Sequence, residues 1–111
     1  MNRTMKEMQE VVDEHIGQFK EGYFPPFELL ARMSEELGEL SREVQHVYGM
    51  KKKKSTEAEA SLEEELGDLF FVMICFANAE GIDMDESLRR VMDKFKSRDK
   101  NRWTKKEELN D

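Results

Sequence analysis

One cysteine, two prolines and no long apolar run: what this 111-residue sequence lacks already narrows its class. With Cys75 as the sole thiol no internal disulfide can form, and its position inside an apolar stretch marks it as a core filler rather than a nucleophile. No segment reaches the roughly 18 apolar residues that a membrane span requires. The polar start Met1-Asn2-Arg3-Thr4 lacks the apolar core of a signal peptide, so a cytoplasmic protein with no membrane partner is expected. Positive charge is also in deficit, 18 Lys and Arg against 25 Asp and Glu for a net charge of -7. Such a field repels phosphate backbones, which argues against a nucleic-acid binder; a phosphate ligand would need a local basic patch or a bound cation. The length suits one domain over 1–111, with a core at about 4–103 and a polar tail at 104–111.

What is present is helical periodicity. Breakers cluster at Gly22 to Pro26, Gly49 to Ser55 and Gly81 to Asp85, and cut the chain into four segments with no alternating strand pattern among them. The first, near Thr4 to Lys20, places Met5, Met8, Val12, Ile16 and Phe19 on one face. The second opens at Pro26, repeats Leu29, Met33, Leu37, Leu40, Val44 and Val47, and ends at Gly49. The third starts at Thr56 or Ser61, each with a glutamate three residues on, and runs to Glu80; the fourth opens at Asp83, with Glu86 in the same relation, and runs towards Trp103. Lys51 to Lys54 read as a solvated loop. The fold expected is all-α, a four-helix bundle-like domain.

Leu69 to Ala77 is apolar at every position, more than a small two-layer monomer can bury around one helix. Either the other three helices cover it, or the third helix is central to an oligomer, and exposed apolar patches favour the second reading.

Acidic residues three apart recur, as Glu7 and Glu10, Glu36 and Glu39, Glu65 and Asp68, and Glu80 and Asp83, and one such pair is ordinarily a solvated face. The helical wheel separates them. At about 100° per residue Glu36 falls at the edge of the arc of Leu29, Met33, Leu40 and Val47, and Glu65 falls among Leu69, Val72 and Phe76. Glu39 and Asp68 lie about 60° further round. Ionised carboxylates turned towards an apolar seam need something positive to meet them. Antiparallel packing of the second and third helices would gather both pairs into one oxygen-donor site, suited to Mg²⁺ with Mn²⁺ as a substitute. Arg32 and Arg42 could neutralise the same edge without metal. Carboxylate-bridged di-iron bundles, the nearest metal rival, are expected to be excluded for want of Glu-x-x-His pairs.

Lys94, Arg98 and Arg102 recur every four residues on the fourth helix. The line either grips the oxygens of a polyphosphate or serves solubility and the helix dipole. Phe19, Tyr23, Phe24, His46, Tyr48 and Trp103 supply flat groups near segment ends on which a base could stack.

These residues resemble the MazG-like nucleotide pyrophosphohydrolases of the all-α NTP pyrophosphatase superfamily, in their short single-domain form. The signature E-E-x-x-E followed by E-x-x-D reads Glu35-Glu36-Leu37-Gly38-Glu39 and Glu65-Leu66-Gly67-Asp68. The resemblance implies that Glu36, Glu39, Glu65 and Asp68 hold Mg²⁺, and that Glu35 orients or deprotonates the attacking water or supports the ligands from behind. It implies Lys94 and Arg98 as triphosphate contacts, with Asn101 and Arg102 less firmly placed. His46 falls where relatives that prefer cytosine nucleotides carry a stacking aromatic, and Phe19 and Trp103 are further base-contact candidates. The implied reaction converts a nucleoside triphosphate and water to the monophosphate and pyrophosphate, with clearance of non-standard nucleotides as a possible role, in a homodimer or a homotetramer built as a dimer of dimers. Two other readings remain open: a phosphoribosyl-ATP pyrophosphatase, and a non-catalytic helical module that keeps the metal site for stability.

Overall fold

The computed structural model describes residues 2–49 and 61–106. The expected loop at Lys51 to Lys54, the alternative start at Thr56 and the last five residues of the tail lie outside the described residues. Four helices follow in order: α1 (Met5–Gly17), α2 (Pro26–Tyr48), α3 (Leu62–Ala79) and α4 (Met84–Asp99). Among the described residues there is no strand, and no helix is long and apolar enough to cross a membrane.

Local chemistry sets the helix ends. The Thr4 hydroxyl accepts from the Glu7 amide at 3.1 Å while the Thr4 amide donates to the Glu7 carboxylate at 2.9 Å, and these bonds hold the Glu7 carboxyl below its ordinary range. Ser61 caps α3 by accepting from the Glu64 amide at 3.0 Å. Asp83 caps α4 through the Asp85 and Glu86 amides, but the reciprocal half of the expected box does not form, because Glu86 instead binds Arg89 at 2.7 Å and Arg90 at 3.1 Å. Gly81, at φ +70°, makes the left-handed turn that lets α4 follow α3 after four residues. Two helices are shorter than expected. α1 stops at Gly17 rather than Lys20, and α4 stops at Asp99, where the chain turns and the Asp99 carbonyl accepts from the Arg102 amide at 3.2 Å.

α2 packs antiparallel on α3, and α1 packs on both α3 and α4. The core is Val12 from α1, Leu29 from α2, and Val72, Ile74 and Cys75 from α3, so Cys75 is the core filler that its neighbours implied. A polar latch joins α1 to the α3–α4 turn. The buried Gln9 side chain donates to Asn78 Oδ1 at 2.9 Å and to the Ile82 carbonyl at 2.8 Å, and accepts from the Met84 amide at 2.8 Å. Asn78 in turn donates to the Gln9 carbonyl and to the Tyr23 hydroxyl, which donates to Asp13 at 2.6 Å. Burial, then the bond to Asp13, pushes the Tyr23 hydroxyl up to about 12.

The helices of one chain do not cover α3 all round. Leu66, Phe70, Phe71 and Met73 stay exposed, as do Leu30, Leu37 and Val44, a heptad-spaced line on α2. α4 buries no residue and exposes Leu88 and Met92. The radius of gyration is 18.5 Å, against about 13 Å for a compact chain of this length.

Candidate active site

Along the α2–α3 seam the residues in register run in opposite directions: Leu29 meets the Val72 and Cys75 level, and Glu36 the Asp68 level. Glu36 and Glu65 are half-buried while Glu39 and Asp68 are exposed, the division that their azimuths predict. One oxygen each from Glu36, Glu65 and Asp68 fall within 4.8 Å of one another. Glu39 lies outside that set, although its charge reaches it. The Glu65 carboxyl is held above its ordinary range, first by desolvation and then by the negative charges of Asp68, Glu39, Glu36 and Glu43.

The salt-bridge alternative finds no pair among the described residues. Among the described residues no Lys or Arg pairs with Glu36, Glu39, Glu65 or Asp68. The Arg32 guanidinium lies 4.6 Å over the ring of Phe24 instead, and Arg42 forms no ion pair among the described residues. Converging carboxylates with no cation repel each other, and an all-oxygen donor set of this size fits a hard divalent ion.

One acidic residue was overlooked in the sequence. Glu43 is only 6% exposed, and its side chain lies 3.8 Å from the buried His46 imidazole. It stands seven residues after Glu36, nearly the same azimuth two turns on, so the wheel could have found it. Contrary to the expectation that no Glu-x-x-His pair exists, Glu43 and His46 have that spacing. α3 carries no histidine and His15 follows Val12 by three, so the second such pair that a di-iron bundle needs is missing.

A cavity of about 360 Å³ opens beside the carboxylates. Glu36 and Asp68 form one edge, Phe24, Phe71 and Val72 much of the apolar wall, and Arg32 is the one cation that lines it among the described residues. Of the aromatic candidates, Phe19 and Trp103 are exposed and His46 is buried beside Glu43, and none of the three lines this cavity. Tyr23 and Phe24 do, carried there by the turn at Gly22 between α1 and α2. Glu35 is exposed next to Glu36.

The basic line is shorter than its spacing suggests. Lys94 and Arg98 lie on α4, at 5.3 and 4.4 Å from the Phe95 ring centre, and Arg98 binds Asp99 at 3.1 Å. Asn101 and Arg102 fall in the turn after the helix, where Arg102 lies 5.3 Å over Trp103. Among the described residues no ion pair joins any of these to Glu36, Glu39, Glu65 or Asp68.

Comparison with known proteins settles the family, because the MazG nucleotide pyrophosphohydrolase domain matches residues 24–103, which hold every proposed metal ligand. The chain belongs to the MazG nucleotide pyrophosphohydrolase family. It is 58% identical over 107 residues to YpjD of Bacillus subtilis (strain 168), across 96% of each protein. A crystal structure of Bacillus subtilis YpjD superposes with a TM-score of 0.77 at 56% identity, covering 86% of this chain and 97% of that one. The crystal structure of a Bacillus-conserved MazG protein, a nucleotide pyrophosphohydrolase, superposes with the same score at 54% identity over 91% and 98%. As a MazG enzyme the chain is a hydrolase, with the all-α fold expected of it.

Proposed function

We propose that this MazG protein hydrolyses nucleoside triphosphates to monophosphate and pyrophosphate in the cytoplasm, with Mg²⁺ as the cofactor and Mn²⁺ as a substitute. The observation that carries the reading is the convergence of Glu36, Glu65 and Asp68 within 4.8 Å with no basic side chain among the described residues paired to them. Glu39, one turn from Glu36, is the fourth ligand. A divalent ion bound there supplies positive charge for the triphosphate and acidifies water. The chain's residues do the rest. Glu35 orients a water against the α-phosphorus and takes its proton as the new P–O bond forms, while the bond to the bridging oxygen breaks and pyrophosphate departs. Lys94 and Arg98, with Asn101 and Arg102 behind them, hold the leaving oxygens.

The same reading takes a second copy of the chain as partner, in a homodimer or homotetramer. Leu30, Leu37 and Val44 on α2, with Leu66, Phe70 and Met73 on α3, form the apolar surface such a copy would cover. Pyrophosphate release, measured with Mg²⁺ and with chelator, tests the reaction. Release should require the metal and fall at least about 100-fold in Glu36→Gln, since one ligand to the cation is lost. Turnover that persists in chelator, or an undiminished Glu36→Gln enzyme, would overturn it.

A further inference from the structure

We infer that Phe95 is a positioning residue for the phosphate grip of α4: its ring holds Lys94 and Arg98 in place without neutralising them, so that both meet the leaving pyrophosphate as charged, pre-ordered donors. The inference rests on the pyrophosphohydrolase reading, in which those two cations take the leaving oxygens. It adds a residue that touches no substrate and acts through two that do.

Two pairs of basic residues on α4 are held in different ways. Arg89 and Arg90, in the first half of the helix, both bind the Glu86 carboxylate, at 2.7 and 3.1 Å. A carboxylate fixes a cation but cancels its charge and occupies its donors. Lys94 and Arg98 share the Phe95 ring instead, with Nζ 5.3 Å and Cζ 4.4 Å from its centre. A ring face attracts a cation through its quadrupole and leaves the net charge and the N–H groups available to an anion. Arg98 has one acidic neighbour, Asp99, which accepts from Nε at 3.1 Å. Among the described residues no acceptor takes the terminal Nη groups of Arg98 or the Lys94 ammonium.

Helix geometry makes the sharing possible. Arg98 stands three residues after Phe95, and long side chains on a helix lean back over the preceding turn, which lays its guanidinium on the ring. Lys94 reaches the same ring from the adjacent position. Phe95 is half-buried yet takes no part in the core of Val12, Leu29, Val72, Ile74 and Cys75. Two like charges four residues apart on a helix repel, and without the ring they would swing away from each other. Gathering them around a diphosphate would then use up rotamer entropy at the moment of binding. The ring sets that arrangement in advance.

Calorimetric binding of magnesium pyrophosphate to the full chain, beside binding of Mg²⁺ alone, tests the assignment. Phe95→Leu, apolar but without a π face, should weaken pyrophosphate roughly fivefold to tenfold, the scale of two exposed cation–π contacts, and leave Mg²⁺ affinity within about twofold. Phe95→Tyr keeps the ring and should bind as the wild type does. In the Lys94→Ala/Arg98→Ala chain, Phe95→Leu should cause no further loss, because the ring acts only through those two side chains. Unchanged pyrophosphate affinity in Phe95→Leu, a loss that Phe95→Tyr does not recover, or a further loss in the doubly substituted chain overturns the inference and leaves the pyrophosphohydrolase reading standing. Undiminished pyrophosphate binding by Lys94→Ala/Arg98→Ala overturns it together with the roles given to both cations. Ring-dependent pyrophosphate binding by a chain that releases none from any nucleoside triphosphate supports the grip and overturns the reaction.

Discussion

Replacing Asp68 by asparagine should stabilise the metal-free protein and destabilise the metal-loaded one. Two unit charges 4.8 Å apart, the spread of the Glu36, Glu65 and Asp68 oxygens, repel by about 0.9 kcal/mol in bulk water and by about 3.5 kcal/mol at an effective dielectric of 20. Asp68 is exposed, so screening places its share near the lower end, at about 1 to 2 kcal/mol. The amide keeps the shape and removes that repulsion. With chelator present, Asp68→Asn should therefore unfold at higher urea than the wild type with an unchanged slope. At Mg²⁺ a hundredfold above its dissociation constant the wild type gains about 2.7 kcal/mol, and most of that gain should vanish in the variant, so the order of stabilities inverts. Both proteins are compared at one chain concentration, since self-association adds its own stabilisation. A variant that is less stable than the wild type in both conditions would refute the reasoning, because it would make Asp68 a structural group instead of a ligand.

Glu65 should give the metal-free protein an inverted pH response. Its folded-state pKa lies above its unfolded value, so the native state holds the extra proton, and stability falls as pH rises from about 4.5 through the folded value; urea midpoints in chelator should show this component, and Glu65→Gln should lack it. Tyr23 titrates in the same sense at the other end of the scale. With a folded pKa of about 12 against 10 unfolded, it should cost the protein stability above pH 10, and Tyr23→Phe, about 1 kcal/mol less stable at neutral pH for want of the Asp13 bond, should show a shallower alkaline loss.

The site was legible where a single helix determines the answer. Azimuth alone placed Glu36 and Glu65 inward and Glu39 and Asp68 outward, because side-chain direction on a helix is fixed by residue count. Asp83 was readable as a helix start, and Ser61 as one of two candidates with Thr56, because a cap is a local hydrogen bond. Glu43 was equally legible, since it stands seven residues after Glu36 and so at nearly the same azimuth. The cavity was not legible. Its walls come from the Gly22–Phe24 turn and from two helices, and its existence depends on how far apart those backbones sit, which no period encodes. The end of α4 at Asp99 was hidden for a related reason: Lys94, Arg98 and Arg102 keep a helical spacing whether or not the helix continues.

The Gln9 latch has a consequence for how this enzyme can change. α4 buries no residue of its own, and its attachment runs through α1 and the directional bonds from Gln9 to Ile82 and Met84. Hydrogen bonds fix an angle where greasy contact would tolerate slippage. Drift at position 9 or 78 should therefore swing the arm carrying Lys94 and Arg98 while the α2–α3 hairpin keeps its carboxylates in place, so under the proposed function the two halves of the site would be separately tunable by selection.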